Sequence, residues 1–396
     1  MRLEDFTAPQ MGSLVDIAGS DPILGSWEHK AFVPAVLPSE MPELSGRTVV
    51  QVANARSSLA ALDAVALQLP NPALFRSSAL RREAQSTSAL EGAYAPLERV
   101  MTTDVDSPED ETMREIVNYL DMSYAAFEWL SYGREISVGM LTALQGELMK
   151  GTRLAGQSGR LRERQVVIGK RSSAKANEPA ILSSRFVPAP PGDLLISGVE
   201  RLVEWIGQDH SERIDPVVAA AMSHYQFETL HPFMDGNGRL GRLLIVLHLM
   251  SQGVLSEPTL SVSPWFEACQ AEYYDRLLAV STAGNWDEYV EFFARGIGQS
   301  ASQALRQVQE LMRVRNVLKG KVRDSGLRSE AGLRVVDLAI AKITFTTKAL
   351  AEELDLSVAR AGELIRQLEN LEILAAVNES ARPKVYFAPA IVRVLV

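Results

Sequence analysis

Residues 231–242 concentrate the residue types that phosphate chemistry requires, in the sequence HPFMDGNGRLGR. His231 can act as a general base near neutral pH, and Asp235 offers the oxygen ligand that Mg²⁺ prefers. Gly236, Asn237 and Gly238 lead into a helical stretch. The N–H groups of such a loop converge on an anion, which the helix dipole also favours. The segment therefore predicts a site for a nucleotide polyphosphate.

Two arginines complete the segment. Arg239 and Arg242 lie three positions apart on one helical face, where both can reach the same polyphosphate. The alternative is a structural turn, because Asp-Gly and Asn-Gly are common in β-hairpins and a lone histidine is usually structural. A hairpin needs alternating strands on both sides, whereas the flanks here, AAAMSHYQFETL and RLGRLLIVLHLM, have helical character. The residues therefore favour a phosphate site over a turn.

The elements that must position this segment are mainly helices. The first 50 residues predict an irregular arm with at most a short strand. Ser107 and Pro108 provide an N-cap and a first-turn proline for a helix that continues to about Trp129. The other predicted helices lie at about 53–67, 74–94, 137–150, 193–208, 214–229, 236–252, 264–281, 285–299 and 300–318.

Two stretches interrupt the helical run. Gln165, Val166, Val167 and Ile168 predict a strand that forms one arm of a hairpin, and residues 185–192 predict an extended proline-rich loop. A charged, glycine-containing linker is expected at 319–332. After it, helices are expected at 333–341, 347–354 and 357–371, followed by strands at 373–377 and 384–387.

This last region, 330–396, resembles a winged helix, with a helix-turn-helix followed by two strands around a polar turn. Winged helices bind DNA or act as protein docking modules. Arg360 and Arg366 are the basic residues of the candidate recognition helix, and Glu363 and Glu369 oppose them. The mixed charge favours docking over DNA binding.

Composition limits the class of protein. The 396 residues exceed the usual size of a single core, so at least two domains are expected. A net charge of −9 argues against a nucleic-acid footprint over the whole chain. Cys269 is the one cysteine, which excludes an internal disulfide, and the start MRLEDFTAPQMG has no apolar signal-peptide core. The apolar runs are too short to span a bilayer, so we expect a cytoplasmic protein without a membrane partner.

The segment HPFMDGNGRLGR also resembles a known family. It matches the Fic motif, His-Pro-Phe-x-Asp-Gly-Asn-Gly-Arg-x-x-Arg, at every fixed position. The resemblance extends over roughly residues 50 to 300. It includes NPALFRSSALRREAQSTSALEGAY, the stretches GRLRERQVVIGK and RFVPAPP, and the segments EYYDRLL and GNWDEYVEFF. It implies a helical Fic core with a small β-hairpin flap, to which the C-terminal winged helix is appended.

The resemblance implies a role for each motif position. Fic enzymes usually transfer AMP from ATP to a Ser, Thr or Tyr hydroxyl of a protein. By position, His231 would deprotonate the hydroxyl and Asp235 would hold Mg²⁺ against the α- and β-phosphates. The anion hole would form at Gly236, Asn237 and Gly238, with phosphate on Arg239 and the γ-phosphate on Arg242. By the same resemblance, Gln165, Val166, Val167 and Ile168 would form the flap that pins a target segment by strand addition.

The resemblance also implies a regulatory glutamate. Thr87-Ser88-Ala89-Leu90-Glu91-Gly92 matches the inhibitory pattern Ser/Thr-x-x-x-Glu-Gly/Asn. By itself this spacing is common, and a helical glutamate is usually solvated. Ahead of a complete Fic motif, it implies that Glu91 pairs with Arg242 and displaces the γ-phosphate of ATP. In some relatives the same glutamate activates water to remove AMP, so the reverse reaction is a second expectation.

Three further side chains are weaker candidates. Tyr273 and Tyr274 are candidates for contact with the adenine, although aromatic pairs on helices are more often part of the core. His224 lies on the same helical face as His231. It is expected to be a packed, hydrogen-bonded residue, because no carboxylate–histidine cluster accompanies it.

Together these patterns predict an autoinhibited protein adenylyltransferase that uses ATP and Mg²⁺, with an unidentified protein substrate and room for a homo-oligomer. The expected segments are 1–100 (N-terminal arm and inhibitory helix), 101–325 (catalytic core) and 330–396 (winged helix). One alternative is a DNA-binding regulator whose Fic core senses nucleotide. Another is a Doc-like kinase, a branch that usually lacks the second glycine and second arginine, here Gly238 and Arg242.

Overall fold

The computed structural model describes residues 1–68, 73–102, 110–174, 177–326, 330–377 and 383–396, of which 73 and 74 are described by their main chain alone. The expected N-cap at Ser107 and the proline at Pro108 lie outside these residues. The helices, in chain order, are α1 (Gly46–Gln68), α2 (Ala73–Leu90), α3 (Leu97–Thr102), α4 (Glu111–Ser131), α5 (Val138–Leu148), α6 (Ala180–Ser183), α7 (Asp193–Gly207), α8 (Pro216–Leu230), α9 (Asn237–Ser251), α10 (Ser263–Ala268), α11 (Gln270–Ala283), α12 (Trp286–Asp324), α13 (Glu330–Lys342), α14 (Thr347–Leu354), α15 (Val358–Asn370) and α16 (Pro389–Leu395).

Short strands accompany the helices, and every strand pairing is antiparallel. They are β1 (Gly12–Asp21), β2 (Gly25–Pro34), β3 (Ile168–Lys170), β4 (Ser184–Phe186), β5 (Thr344–Thr346), β6 (Ala375–Ala376) and β7 (Val385–Phe387). The fold is therefore mainly α with small antiparallel sheets, as predicted. None of the described helices combines the length and apolar content needed to cross a membrane.

The chain separates into two units, each built from several stretches of sequence. The first contains Met1–Ser57, Asp121–Leu255 and Trp265–Gln299, and the second contains Ser58–Leu120, Ser256–Pro264 and Ser300–Val396. The division into 1–100, 101–325 and 330–396 that the sequence predicts stays a prediction.

In the first unit, α8 and α9 form the central helix pair, with α5 and α7 packed beside them. Asp215 caps α8 by accepting a hydrogen bond from the Val217 N–H at 2.8 Å, and Pro216 occupies its first position. All but two of the fifteen α8 residues are buried, so this helix is enclosed on every side. The predicted helices 214–229 and 236–252 are thus present within two residues at each end.

The same unit begins with a β-hairpin that the sequence did not reveal. β1 and β2 pair over their full length, from Gly12 with Pro34 to Asp21 with Gly25. Asp21 Oδ1 accepts hydrogen bonds from the N–H groups of Ile23 and Leu24, both at 2.9 Å, which fixes the turn. The expectation of an irregular arm with a short strand is therefore wrong for this segment.

In the second unit, α2 packs against α13, and α14 packs against α15. Ser357 caps α15 through its hydroxyl, which accepts from the Arg360 N–H at 3.2 Å. The sheet order is β5-β7-β6, with Phe387 opposite both Thr344 and Ala375. Two helices after β5 and two strands after those helices are the order that the predicted winged helix requires. That assignment stays a prediction.

The linker expected at 319–332 is wrong at both of its ends, and residues 327–329 within it lie outside the described residues. α12 occupies its first part and α13 its last part. The charged residues continue the helix because Arg315 and Lys319 each bind an oxygen of Asp337 at 2.6 Å, while Val322 is buried in the hydrophobic core. Opposite charges on two packed helices thus replace the solvated segment that the composition indicated.

Several helix ends also differ. The helix expected at 74–94 ends at Leu90, because Gly92 adopts a left-handed φ of 91°, and α3 follows separately. The segment 264–281 forms two helices, whereas 285–299 and 300–318 form one, α12. The described start of α4 is capped by Asp110, whose Oδ1 accepts from the Met113 N–H at 2.9 Å.

Candidate active site

His231 lies at the end of α8 in an unusual main-chain conformation. Its φ of 49° and ψ of 62° are left-handed, and its N–H still donates to Phe227 O at 3.0 Å. This conformation is uncommon for a residue with a Cβ, and Pro232 directly after it restricts the main chain further. The chain therefore turns sharply at His231, and the imidazole stands at the start of the motif loop, half-buried.

The loop ends at Gly236, which begins α9. Gly236 has a φ of 82°, and a Cβ placed on it would lie 2.8 Å from Leu148 Cδ2. Both facts favour glycine at this position. The residues that follow, Asn237, Gly238 and Arg239, form the first turn of α9, whose main-chain N–H groups have no carbonyl partner within the helix. Such N–H groups can bind an anion.

The Asn237 side chain closes the loop. Its Oδ1 accepts from the Phe233 N–H at 2.9 Å, and its Nδ2 donates to Phe233 O at 2.9 Å. The residue is 2% exposed, so its side-chain amide makes its hydrogen bonds within the protein. A ligand would therefore meet the main chain of Asn237 and not its side chain.

Asp235 is the accessible acidic group of the loop, with its side chain 46% exposed. Its Oδ1 accepts from the Gly236 N–H at 2.6 Å and lies 3.5 Å from Arg239 Nη2. These contacts use one carboxylate oxygen. Among the described residues, no group of three or more His, Cys, Asp or Glu side chains forms a metal cluster. The partly exposed Asp235 carboxylate fits Mg²⁺, which takes one or two carboxylates and completes its shell with water and phosphates.

The two motif arginines are buried. Arg239 is 2% and Arg242 is 1% exposed. Arg239 Nη2 also lies 4.0 Å from Met149 Sδ. Burial chiefly, with a contribution from the Arg242 charge, lowers the pKa of His224 to about 3. Both guanidiniums therefore lie in a low-dielectric setting, where a cation attracts phosphate more strongly than it would in water.

His224 is a packed core residue, as its surroundings in the sequence predicted. Its Nδ1 lies 3.0 Å from Gly241 O and its Nε2 lies 2.8 Å from Tyr273 Oη. Because a carbonyl only accepts, Nδ1–H donates to Gly241 and Nε2 accepts from Tyr273. The neutral imidazole thus joins α8, α9 and α11.

Tyr273 therefore belongs to the core. It is 1% exposed and stacks on Phe266 with ring centroids 4.6 Å apart. This favours the alternative stated for the tyrosine pair, a packing role, over contact of Tyr273 with an adenine. Tyr274 is half-buried, and its contact with an adenine stays a prediction.

The flap residues lie in an antiparallel hairpin, but the strand is displaced from the prediction. β3 and β4 pair with Ile168 opposite Phe186, so Gln165, Val166 and Val167 precede the strand. Gln165 Nε2 donates to Pro188 O at 2.9 Å, which joins this segment to the proline-rich loop. All four residues are half-buried. Strand pairing starts only at Ile168 because its partner strand β4 ends at Phe186. The sequence of 165–168 does not reveal where that partner strand ends.

Two positioning side chains were missed. Gln145 on α5 is 1% exposed; its Nε2 donates to Asp235 O at 3.1 Å and its Oε1 accepts from the Gly159 N–H at 2.6 Å. Arg162 binds main-chain carbonyls at the end of α8, including His231 O at 2.8 Å. No sequence signal distinguishes this glutamine or this arginine, since their partners are main-chain atoms from distant segments.

Glu91 belongs to the second unit. It lies exposed in the turn after α2, and its N–H donates to Ser88 O at 3.1 Å. Thr87 and Ser88 of the same pattern are fully buried. The carboxylate is thus presented at a helix end, and the inhibitory role stays a prediction.

Comparisons with known proteins agree with the motif. Residues 49–128 match the model of the Fic/DOC family N-terminal region and residues 135–249 match that of the Fic/DOC family. The chain is similar to protein adenylyltransferase fic-1 of Caenorhabditis elegans, with 32% identity over 35% of this chain and 23% of that protein. Protein adenylyltransferase Fic of Drosophila virilis is 36% identical over 27% of this chain and 21% of that protein.

The similarity thus spans less than a quarter of the length of these two relatives. Among solved structures, a Fic family protein from Desulfovibrio desulfuricans G20 has a TM-score of 0.54 and 22% identity, over 88% of this chain and 98% of that one. This likeness shows that the fold is shared. The chain therefore contains a Fic/DOC N-terminal region at 49–128 and a Fic domain at 135–249.

Proposed function

We propose that this chain is a protein adenylyltransferase, which moves AMP from ATP to a Ser, Thr or Tyr hydroxyl of a protein. The observation that carries the proposal is the geometry of the motif loop. A left-handed His231 stands at one end of the loop, and the open first turn of α9, with Arg239 and Arg242, stands at the other. A base and an anion site are thus separated by five loop residues, 232–236.

The reaction follows from these positions. His231 accepts the proton of the target hydroxyl, and the hydroxyl oxygen bonds to the α-phosphorus of ATP. The bond between the α-phosphorus and the oxygen that bridges to the β-phosphate breaks, so pyrophosphate leaves with its electron pair. The main-chain N–H groups of the first turn of α9 and the two arginines stabilise the charge that grows on the phosphates.

Asp235 would hold Mg²⁺, which neutralises charge on the α- and β-phosphates when bound. Asp235 suits this role because its carboxylate is partly exposed and linked to the start of α9 through the Gly236 N–H. The flap segment 165–168 would hold the target chain beside His231. Adenine contact by Tyr274 is part of the same proposal.

Glu91 is proposed to inhibit the reaction by occupying Arg242, so that the γ-phosphate cannot dock. This step rests on the pattern TSALEG ahead of a complete motif. Removal of AMP by a Glu91-activated water would be the reverse activity of the same site.

The test is transfer of label from ATP carrying the label on its α-phosphate. We expect Glu91→Gly and Glu91→Gln to raise labelling of this chain and of lysate proteins sharply. The matched charge change Glu98→Gln, at another exposed glutamate just after Glu91, should leave labelling unchanged. Arg242→Ala combined with Glu91→Gly should remove the gain, since two groups that share one interaction behave non-additively.

His231→Ala in the Glu91→Gly background separates chemistry from binding. Loss of a positioned base lowers the rate by roughly 10²–10⁴-fold and leaves ATP binding in place. Full labelling by that variant would exclude His231 as the base. If neither Glu91→Gly nor Glu91→Gln changes the labelling, autoinhibition by Glu91 is excluded.

A further inference from the structure

The guanidinium of Arg162 binds main-chain carbonyls from three separate segments. Its Nε donates to His231 O at 2.8 Å and its Nη2 to Leu230 O at 3.3 Å, both at the end of α8. Nη2 also donates to Ala189 O in the proline-rich loop, and Nη1 donates to Arg164 O at 3.2 Å, directly before the flap segment. Arg162 is 3% exposed, so a buried cation is held by four carbonyl contacts.

These contacts meet at His231, a non-glycine residue with a positive φ. His231 is left-handed and directly precedes Pro232, a combination that is strained unless its surroundings hold it. Arg162 binds the carbonyls of Leu230 and His231, and its own N–H donates to Pro232 O at 2.9 Å. One residue therefore fixes three consecutive carbonyls of the turn.

The charge of Arg162 suits this position. The last carbonyls of a helix carry the negative end of its dipole, and a cation there is stabilising. Burial lowers the pKa of Arg162 to about 10, so the guanidinium remains protonated at neutral pH. A lysine ammonium would keep the charge, but as a single point it cannot reproduce the planar fork that reaches carbonyls on several sides.

The same guanidinium also reaches the flap. Arg164 O precedes β3, and Ala189 O follows β4, so both sides of the hairpin are bound to the cation that holds His231. Gln165 Nε2, which donates to Pro188 O at 2.9 Å, adds a second bond between the same two segments. A shift of the flap would therefore alter the bonds that support His231.

We propose that Arg162 is a positioning residue that sets the His231 imidazole and the flap in one fixed relation, so that a target hydroxyl on the flap meets the base. The expected effect on the labelling rate rests on the proposed adenylyl transfer. The support that Arg162 gives to His231 and the flap can be measured without any activity.

The kinetic test compares Arg162→Lys and Arg162→Gln in the Glu91→Gly background. The matched control is Arg160→Gln, because Arg160 is an exposed arginine two positions before Arg162. We expect both Arg162 variants to label target protein about 10²-fold more slowly, the usual effect of misplacing a reacting group by about 1 Å. ATP affinity should match the parent, and Arg160→Gln should keep the parent rate. A parent rate in Arg162→Lys would overturn the proposal, since charge alone would then suffice.

The second readout is amide hydrogen exchange of the intact chain without nucleotide. We expect Arg162→Lys to accelerate exchange in peptides that cover 228–236 and 163–168, and to leave α12 unchanged. Unaltered exchange in both peptides would overturn the inference even if labelling fell. If the parent never labels protein, the proposed function fails, while local exchange in Arg162→Lys still decides the positioning role. If Arg162→Gln unfolds globally, the labelling rate and the amide exchange of Arg162→Lys decide the positioning role.

Discussion

The Asn237 side chain offers a direct test of how the motif loop is built. In Asn237→Ala, the N–H and the carbonyl of Phe233 both lose a partner, and each bond is 2.9 Å long in a residue that is 2% exposed. A buried polar group left without its partner costs about 1–3 kcal/mol. Two such groups give about 2–6 kcal/mol, and water that enters the loop brings the value toward the lower limit. We therefore expect a loss of at least about 2 kcal/mol.

Urea unfolding followed by tryptophan fluorescence measures this loss, and titration with ATP measures the loop itself. The control is Gln208→Ala, an exposed amide in the same unit, which should change stability by less than about 0.5 kcal/mol. Asn237→Asp keeps an acceptor for the Phe233 N–H but brings negative charge to the start of α9, so it should weaken ATP binding more than Asn237→Ala does. If Asn237→Ala unfolds at the parental urea concentration and binds ATP normally, the side chain does not close the loop.

Two further predictions concern acid stability and the C-terminal region. Burial lowers the pKa of both His224 and His248 from 6.5 to about 3, so below pH 6.5 the unfolded chain binds protons that the folded chain does not. Stability should therefore fall as pH decreases from 6.5 toward 3, by about 1.4 kcal/mol per pH unit for each histidine, and His248→Gln should reduce the pH dependence of Tm between pH 6.5 and 5; an unchanged pH dependence would contradict this. We also expect weak DNA binding by the intact chain, because Arg360 pairs with Glu363 at 2.6 Å on the candidate recognition helix, and tight, steeply salt-dependent binding to random duplex would refute a docking role.

The sequence predicted best where local signals and burial agreed. The helix expected at 214–229 is present as α8, where Asp215 caps the first turn and Pro216 occupies the first position. The helix expected at 357–371 is present as α15, and Ser357 caps it. In such places the cap, the periodicity and the packing all favour the same structure, so a single stretch contains enough information.

The failures have the opposite cause. β1 and β2 pair over ten residues. The sequence of each strand taken alone is a mixture without a clear period, and the formation of each strand depends on pairing with the other. The expected linker at 319–332 is largely helical because Asp337, from the next helix, neutralises Arg315 and Lys319. Charge along one segment is a poor predictor when its partner lies elsewhere in the chain.

The site shows the same division at the level of single residues. The reactive candidates His231 and Asp235 belong to a dense motif and were identified from residue type and spacing. The residues that hold the loop, Gln145 and Arg162, bind main-chain carbonyls, which every residue possesses and no sequence pattern marks. Their role became visible only with the fold.

Exposure along the motif separates two tasks. His231 and Asp235 are accessible, whereas Asn237, Arg239 and Arg242 are almost fully buried. A buried guanidinium attracts an anion strongly because the dielectric constant around it is low. Because it cannot reorient freely, its electrostatic field has a fixed direction before a ligand binds. A lysine at 239 or 242 would keep the charge, but it would lose the planar donor fork that matches phosphate. The buried arginines of the motif therefore have a fixed orientation and a fixed electrostatic field. The accessible His231 and Asp235 can exchange protons and ligands with the solvent.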